Sequence, residues 1–211
     1  MVASQVHLVR HGEVHNPSGI LYGRLPGFRL SELGQKMARC AADDIKSRRR
    51  PVVALVASPL QRAQESATPF AAAFELPITT DARLIEPANH FEGTVMSQAL
   101  RNPINWPWLV NPVRPSWGEA YSSIAKRMRA VVAAAFDSVA DGDVVLVGHQ
   151  LPIWCLHRVL AGEQLMHDPR KRRCALSSVT TLERHGENLV EVGYSEPAAF
   201  LAARATDIGA V

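Results

Sequence analysis

Residues 5–14 read QVHLVRHGEV. The first six, Gln5 to Arg10, are rich in Val and Leu and predict a strand; the Gly-, Asn- and Pro-containing stretch through Gly27 predicts a loop. The chain thus sets Arg10 and His11 side by side where a buried strand surfaces, followed by Gly12. A strand-end salt link would produce the same triplet, so the triplet alone is weak evidence. Its meaning depends on what else reaches the same edge of the sheet.

Beyond the loop, Ser31 predicts a helix N-cap, and Leu33, Met37, Ala41 and Ile45 recur at helical spacing up to the Arg48–Arg50 run, with Pro51 ending the helix. VVALVA at 52–57 is a continuous apolar run of the kind buried in a parallel sheet. Ser58 and Pro59 predict an N-cap and first helical position, opening a helix that Pro69 is expected to kink or break. Five prolines, Pro87, Pro103, Pro107, Pro112 and Pro115, interrupt a mixed insert at about 84–117 that carries Trp106, Trp108 and Trp117. A long amphipathic helix follows over 119–139, then a second buried strand, DVVLVGH at 143–149, then a helix from about Pro152 to Ala161. SSVTTLER and NLVEVGY, split by HGE, alternate like a hairpin, and the tail after Pro197 is expected to be loose. Strand, helix, strand, helix is the pattern of an α/β protein whose parallel sheet is covered on both faces. At 211 residues the chain fits one α/β domain, with the insert at 84–117 as a cap-like addition.

In an open parallel sheet, ligands bind beyond the carboxyl ends of the strands. The first strand delivers Arg10, His11 and Gly12 there; the second ends at Ser58 with Arg62 one turn into its helix; the third ends in Gly148 and His149. Two guanidinium groups flanking two imidazoles suit a dianionic phosphate, because each guanidinium offers a planar fork of donors. His11, kept neutral by the neighbouring positive charge, can attack phosphorus through a ring nitrogen. Gly12 is expected to remove a Cβ where substrate comes close. His149 is placed to stabilise charge developing on a phosphoryl oxygen. The leaving alkoxide needs a proton, and Glu86, in LIEPANHFEG, is the candidate donor, with Glu92 as the competing carboxylate. Apolar neighbours would raise its pKa and arginines would lower it; the sequence leaves that balance open.

Composition narrows the setting. The apolar fraction is 47% and the formal charge +3, which suits small anionic substrates more than nucleic acid. The basic runs Arg48–Arg50 and Arg170–Arg173 lack interleaved aromatics and are expected to be solvated charges. Cys40, Cys155 and Cys174 are an odd, scattered set, which fits a reducing compartment; with no signal peptide and no apolar run of membrane-spanning length, the expected location is cytoplasmic. His7, His11 and His15 are spaced by four, but on a strand and loop that spacing does not build a metal site, so no metal is expected.

LVRHGE, SPLQRAQESA, an L-x-E segment followed by FEG, and VLVGH occur in that order. Over about residues 5–195 the chain resembles the histidine phosphatase superfamily, in its phosphoglycerate-mutase-like branch. The resemblance implies a three-layer α/β/α sandwich with a mostly parallel sheet and a phosphohistidine on His11. It implies a phosphate pocket of Arg10, Arg62 and His149, Glu86 as proton donor, and no metal or other cofactor. Asn16 looks like the family's phosphate-touching loop asparagine, displaced by one residue, and Gln150 stands where a glycine is common. Mutase members carry a longer basic, tyrosine-containing segment after the acid. EPANHFEG lacks it, so a phosphatase acting on a small phosphorylated substrate is favoured over a phosphoglycerate mutase or a non-catalytic phosphate- or phosphoprotein-binding module. The substrate and the oligomeric state stay open, a homodimer being one option, and the insert at 94–117 is a candidate for setting substrate choice.

Overall fold

The computed structural model of the chain describes residues 3–111 and 117–207. In chain order its elements are β1 (Gln5–Arg10), α1 (Glu32–Ser47), β2 (Val52–Ala57), α2 (Gln61–Phe74), β3 (Ile78–Thr80), α3 (Met96–Ala99), α4 (Tyr121–Asp137), β4 (Asp143–Gly148), α5 (Gln150–Leu160), β5 (Val179–His185), β6 (Asn188–Ser195) and α6 (Ala199–Ala202). The strands lie in the order β3-β2-β4-β1-β5-β6. The first four are mutually parallel, and β5 and β6 form an antiparallel hairpin paired to β1.

The two-residue period of the strands divides the core. Val6 and Leu8 of β1, with Val144 and Leu146 of β4, pack against Ile124, Met128, Val132 and Phe136 of α4 and Leu156 of α5. Val9, Val145, Val147 and Leu55 face the other way, onto Ala41 and Ile45 of α1 and Ala63, Ala67 and Phe70 of α2. Helices therefore cover both faces of the sheet. This is the expected three-layer α/β/α architecture, and it is why the β4 run is buried at every position.

Several local expectations are corrected. Ser31 does cap α1, accepting from Gly34 N, but Ser58 does not cap α2: that helix starts at Gln61 with Leu60 at its N-cap and no side-chain cap bond. α2 also runs through Pro69 unbroken. The proline removes one backbone bond, while Ala67 and Phe70 on either side keep the helix seated on the sheet. β3 was not anticipated: it is three residues long and half exposed, so it carries no apolar run. The tail is docked rather than loose, because Ala198 is buried against Met37 and Leu176, with Leu201 and Ala205 beside it.

Phe91 and Ala99 of the insert form a small separate core with Leu21 of the loop after β1, joined by Met96, Leu109 and Trp117, and a bridge between Asn89 and Gly118 ties its base. Trp106 and Trp108 are exposed, Trp108 stacking on His90 at 4.0 Å. Pro112 and Pro115 lie outside the described residues. The basic runs are not simply solvated. Arg50 binds Asp143, Arg48 binds Asp44 and Thr181, Arg172 reaches His167, Arg173 pairs with Glu191 and Arg170 with Asp168; Arg49, Arg170, Lys171 and Arg173 are exposed. His7 has its two ring nitrogens at Thr181 Oγ1 (3.0 Å) and Asp143 Oδ2 (3.3 Å).

Candidate active site

Register places the first two groups. β1 and β4 run parallel with Arg10 level with Gly148, so the next residue on each strand, His11 and His149, leaves the sheet beside the other. Their ring centroids are 5.2 Å apart at an interplanar angle of 61°. Both imidazoles are fully buried.

The hydrogen bonds fix what each ring can do. His11 Nδ1 lies 2.7 Å from the Gly12 carbonyl oxygen. A carbonyl only accepts, so the proton is on Nδ1 and Nε2 keeps its lone pair. Burial first, then the charges of Arg62 and Arg10, hold the His11 pKa well below its usual value, so the ring stays neutral. For His149, Nε2 is 2.8 Å from Ser58 Oγ, and Leu60 N donates to the same oxygen at 3.4 Å. In the tautomer where the hydroxyl donates to Nε2, the ring proton is on Nδ1, the nitrogen toward Glu86. Burial followed by Arg62 also keeps His149 neutral.

Arg10 extends from the end of β1 and Arg62 from the first turn of α2, and both are essentially fully buried. Arg62 donates to the Gly23 carbonyl at 2.8 Å and lies over the Tyr22 ring at 4.7 Å. Glu65, one turn further along α2, accepts from Leu30 N and Gln61 Nε2.

Glu86 Oε2 stands 3.5 Å from His149 Nδ1. The balance left open by the sequence resolves toward burial: desolvation outweighs the arginines, led by Arg62, and raises the Glu86 pKa to about 7. Glu92 is engaged elsewhere, its Oε1 accepting from Asn89 N at 3.0 Å within its own turn.

Five buried atoms on these five residues have no hydrogen-bond partner: Arg10 Nε, His11 Nε2, Arg62 Nε, Glu86 Oε1 and His149 Nδ1. Among the described residues only Trp154 Nε1 and Ser177 Oγ share that condition. Buried polar atoms are nearly always paired, because leaving one unmade costs about 1–3 kcal/mol. Five such atoms fall on one group of residues, and the two arginine Nε–H groups among them are donors that can meet an anion.

Two further expected residues are placed differently. Gly12 is needed for packing, since a Cβ there would lie 2.3 Å from the Gly34 carbonyl oxygen at the start of α1, and its N–H donates to Ser66 Oγ at 3.1 Å. Asn16 is half-buried and closes its own loop, donating to the Ile20 carbonyl at 2.9 Å and accepting from Ile20 N at 3.3 Å. Sequence reasoning missed Ser58 as the anchor of His149; the strand-end position was visible, but the residue was assigned to a helix cap. It also missed Asp207, whose carboxylate binds Arg10, and Arg172, which donates to His167 Nε2 at 2.8 Å and whose charge acts on Glu86.

Known proteins resemble the chain along most of its length. Residues 6–196 match the model of the histidine phosphatase superfamily (branch 1). An uncharacterized protein of Mycobacterium tuberculosis is 54% identical over 199 residues, covering 93% of this chain and 98% of its own length. A probable phosphoglycerate mutase of Yersinia enterocolitica is 30% identical over 184 residues, covering 83% and 84%. Among solved structures, the mycobacterial glucosyl-3-phosphoglycerate phosphatase complexed with VO3 aligns with a TM-score of 0.74 at 26% identity, over 89% of this chain and 96% of that one.

Proposed function

The chain belongs to the histidine phosphatase superfamily, branch 1, and on that premise we propose that it is a phosphomonoesterase that works through a phosphohistidine on His11, with arginines supplying the positive charge that other phosphatases take from a metal. The carrying observation is the set of unpartnered buried atoms on Arg10, His11, Arg62, His149 and Glu86.

In the first half-reaction, Arg10 and Arg62 hold the substrate phosphoryl oxygens, and the His11 Nε2 lone pair attacks phosphorus. The ester P–O bond breaks, and the departing oxygen takes a proton from Glu86, which is protonated below about pH 7. The positive charge that forms on His11 is met by the Gly12 carbonyl at Nδ1. His149 donates from Nδ1 to a phosphoryl oxygen as charge accumulates. In the second half, water attacks phosphorus, Glu86 takes its proton, the P–N bond breaks, and inorganic phosphate leaves.

The test is turnover of a generic aryl phosphate by wild-type protein and by His11→Ala. Loss of turnover with the fold intact supports the reading, and undiminished turnover refutes it. The relative described as a probable phosphoglycerate mutase supports a second reading. Conversion of 3- to 2-phosphoglycerate at a rate exceeding phosphate release would favour that reading.

A further inference from the structure

We propose that Asp207, near the C-terminus, is a positioning residue that orients the Arg10 guanidinium for phosphate; this rests on the phosphatase reading above. A guanidinium has five N–H bonds in a rigid plane. Arg10 Nη1 donates to the Cys174 carbonyl at 2.7 Å and to Asp207 Oδ2 at 2.8 Å, and Nη2 donates to Asp207 Oδ1 at 2.5 Å. Asp207 thus takes the end-on fork between Nη1 and Nη2. The Nε–H remains, together with the second proton of Nη2. These two lie parallel along the other edge of the plane, and Nε is among the buried atoms without a partner. That edge is a second bidentate fork, matched to two oxygens of a phosphoryl group.

The carboxylate is itself held in place. Thr206 N donates to Glu13 Oε1 at 2.6 Å, and the other oxygen of Glu13 accepts from Ser31, the N-cap of α1. Just upstream, Ala198, Leu201 and Ala205 pack with Met37 and Leu176. An apolar anchor and a backbone bond therefore deliver Asp207 to a fully buried arginine, while its own side chain stays 41% exposed. The carboxylate is partly exposed, and it fixes the plane of a buried cation. The opposite reading is a tail that blocks phosphate by occupying Arg10. The open Nε edge favours positioning, because Asp207 and phosphate can be bound at once.

The test compares wild-type protein with Asp207→Asn and Asp207→Ala. Three quantities are read: kcat/KM for an aryl phosphate, the inhibition constant of inorganic phosphate, and the melting temperature. Positioning predicts that Asp207→Ala lowers kcat/KM by roughly 10- to 100-fold and weakens phosphate inhibition in parallel, as small misplacements of a binding group do. Asp207→Asn should fall between Asp207→Ala and wild type, and the melting temperature should stay within a few degrees. Tighter phosphate inhibition or faster turnover in Asp207→Ala would overturn the proposal in favour of a blocking tail. Unchanged kinetics in both variants would overturn it outright. Wild-type protein that neither turned over a phosphomonoester nor bound phosphate would sink the phosphatase reading and this proposal together, which separates the two failures.

Discussion

His149 lies between two groups: Ser58 Oγ sits 2.8 Å from its Nε2, and Glu86 Oε2 stands 3.5 Å from its Nδ1. One partner holds a ring nitrogen and the other is the proton donor of the proposed mechanism. The serine at the end of β2 and the acid at the start of the insert are thereby coupled through one imidazole. We expect Ser58→Ala to lower kcat/KM about 10-fold, the size of one lost hydrogen bond to a group that must be oriented, with KM for phosphate esters changing less than kcat. Steady-state kinetics on a single aryl phosphate would show this. Equal effects of Ser58→Ala and His149→Ala would mean that the serine does more than hold the ring.

The Glu86 pKa sets the pH dependence. Burial raises it to about 7, so the proton-donating form is present below that pH and is lost as pH rises through it. His11 is held well below 6.5 and stays an unprotonated nucleophile through the mildly acidic range. kcat/KM is therefore expected to be flat on the mildly acidic side of neutrality and to fall above about pH 7. Glu86→Gln should remove that descending limb.

Leaving groups offer a second check on the same carboxyl. An alkoxide departs poorly without a proton, whereas nitrophenolate departs unaided. Glu86→Gln should cost about 10²- to 10⁴-fold on an alkyl phosphate and far less on nitrophenyl phosphate. Equal losses on both substrates would indicate that Glu86 acts through structure instead.

Gly34 carries a prediction about stability. A Cβ on it would lie 2.0 Å from the Glu13 carbonyl oxygen, backbone against backbone, so relief requires α1 to move away from the loop that follows β1. Gly34→Ala should destabilise the fold by roughly 2–4 kcal/mol, as overpacking of fixed atoms does. Chemical denaturation would measure it, and a loss under about 0.5 kcal/mol would show that the contact is soft.

At the far end of β1, Asp143 is read by acid titration. Burial opposes its charge, but hydrogen bonds from His7 and Arg50 prevail and hold its pKa at about 2. A depressed carboxylate pKa stabilises the fold above its unfolded value near 4 and loses that contribution as pH falls toward 2. The contribution is about 2 kcal/mol. Wild type should lose that stability between pH 4 and pH 2, and Asp143→Asn should not.

Most of the sheet was legible because its strands are short and uninterrupted in hydrophobicity. DVVLVG and VVALVA read as strands, the first buried at every position and the second exposing Val53, and their ends point to one edge. His11, His149, Arg10 and Arg62 follow from that geometry. The misreadings have a shared origin in local signals. Ser58-Pro59 carries every mark of a helix cap, yet a strand-end hydroxyl beside an imidazole finds its partner 91 residues away. Nothing near Gly12 in the sequence reveals that α1 starts against it. Asp207 sits in an alanine-rich tail with no periodicity, and its partner is 197 residues distant. Such contacts depend on closure of the fold and leave no trace in spacing.

The central claim is that His11 Nε2 carries the phosphoryl group between the two half-reactions. The direct measurement is to mix the protein with a ³²P-labelled aryl phosphate, quench in alkali within the first turnover, and map the label. A phosphoramidate that is stable to alkali, labile to acid and confined to His11 is the predicted result. Phosphate release proceeding at full rate with no label on any histidine would contradict it.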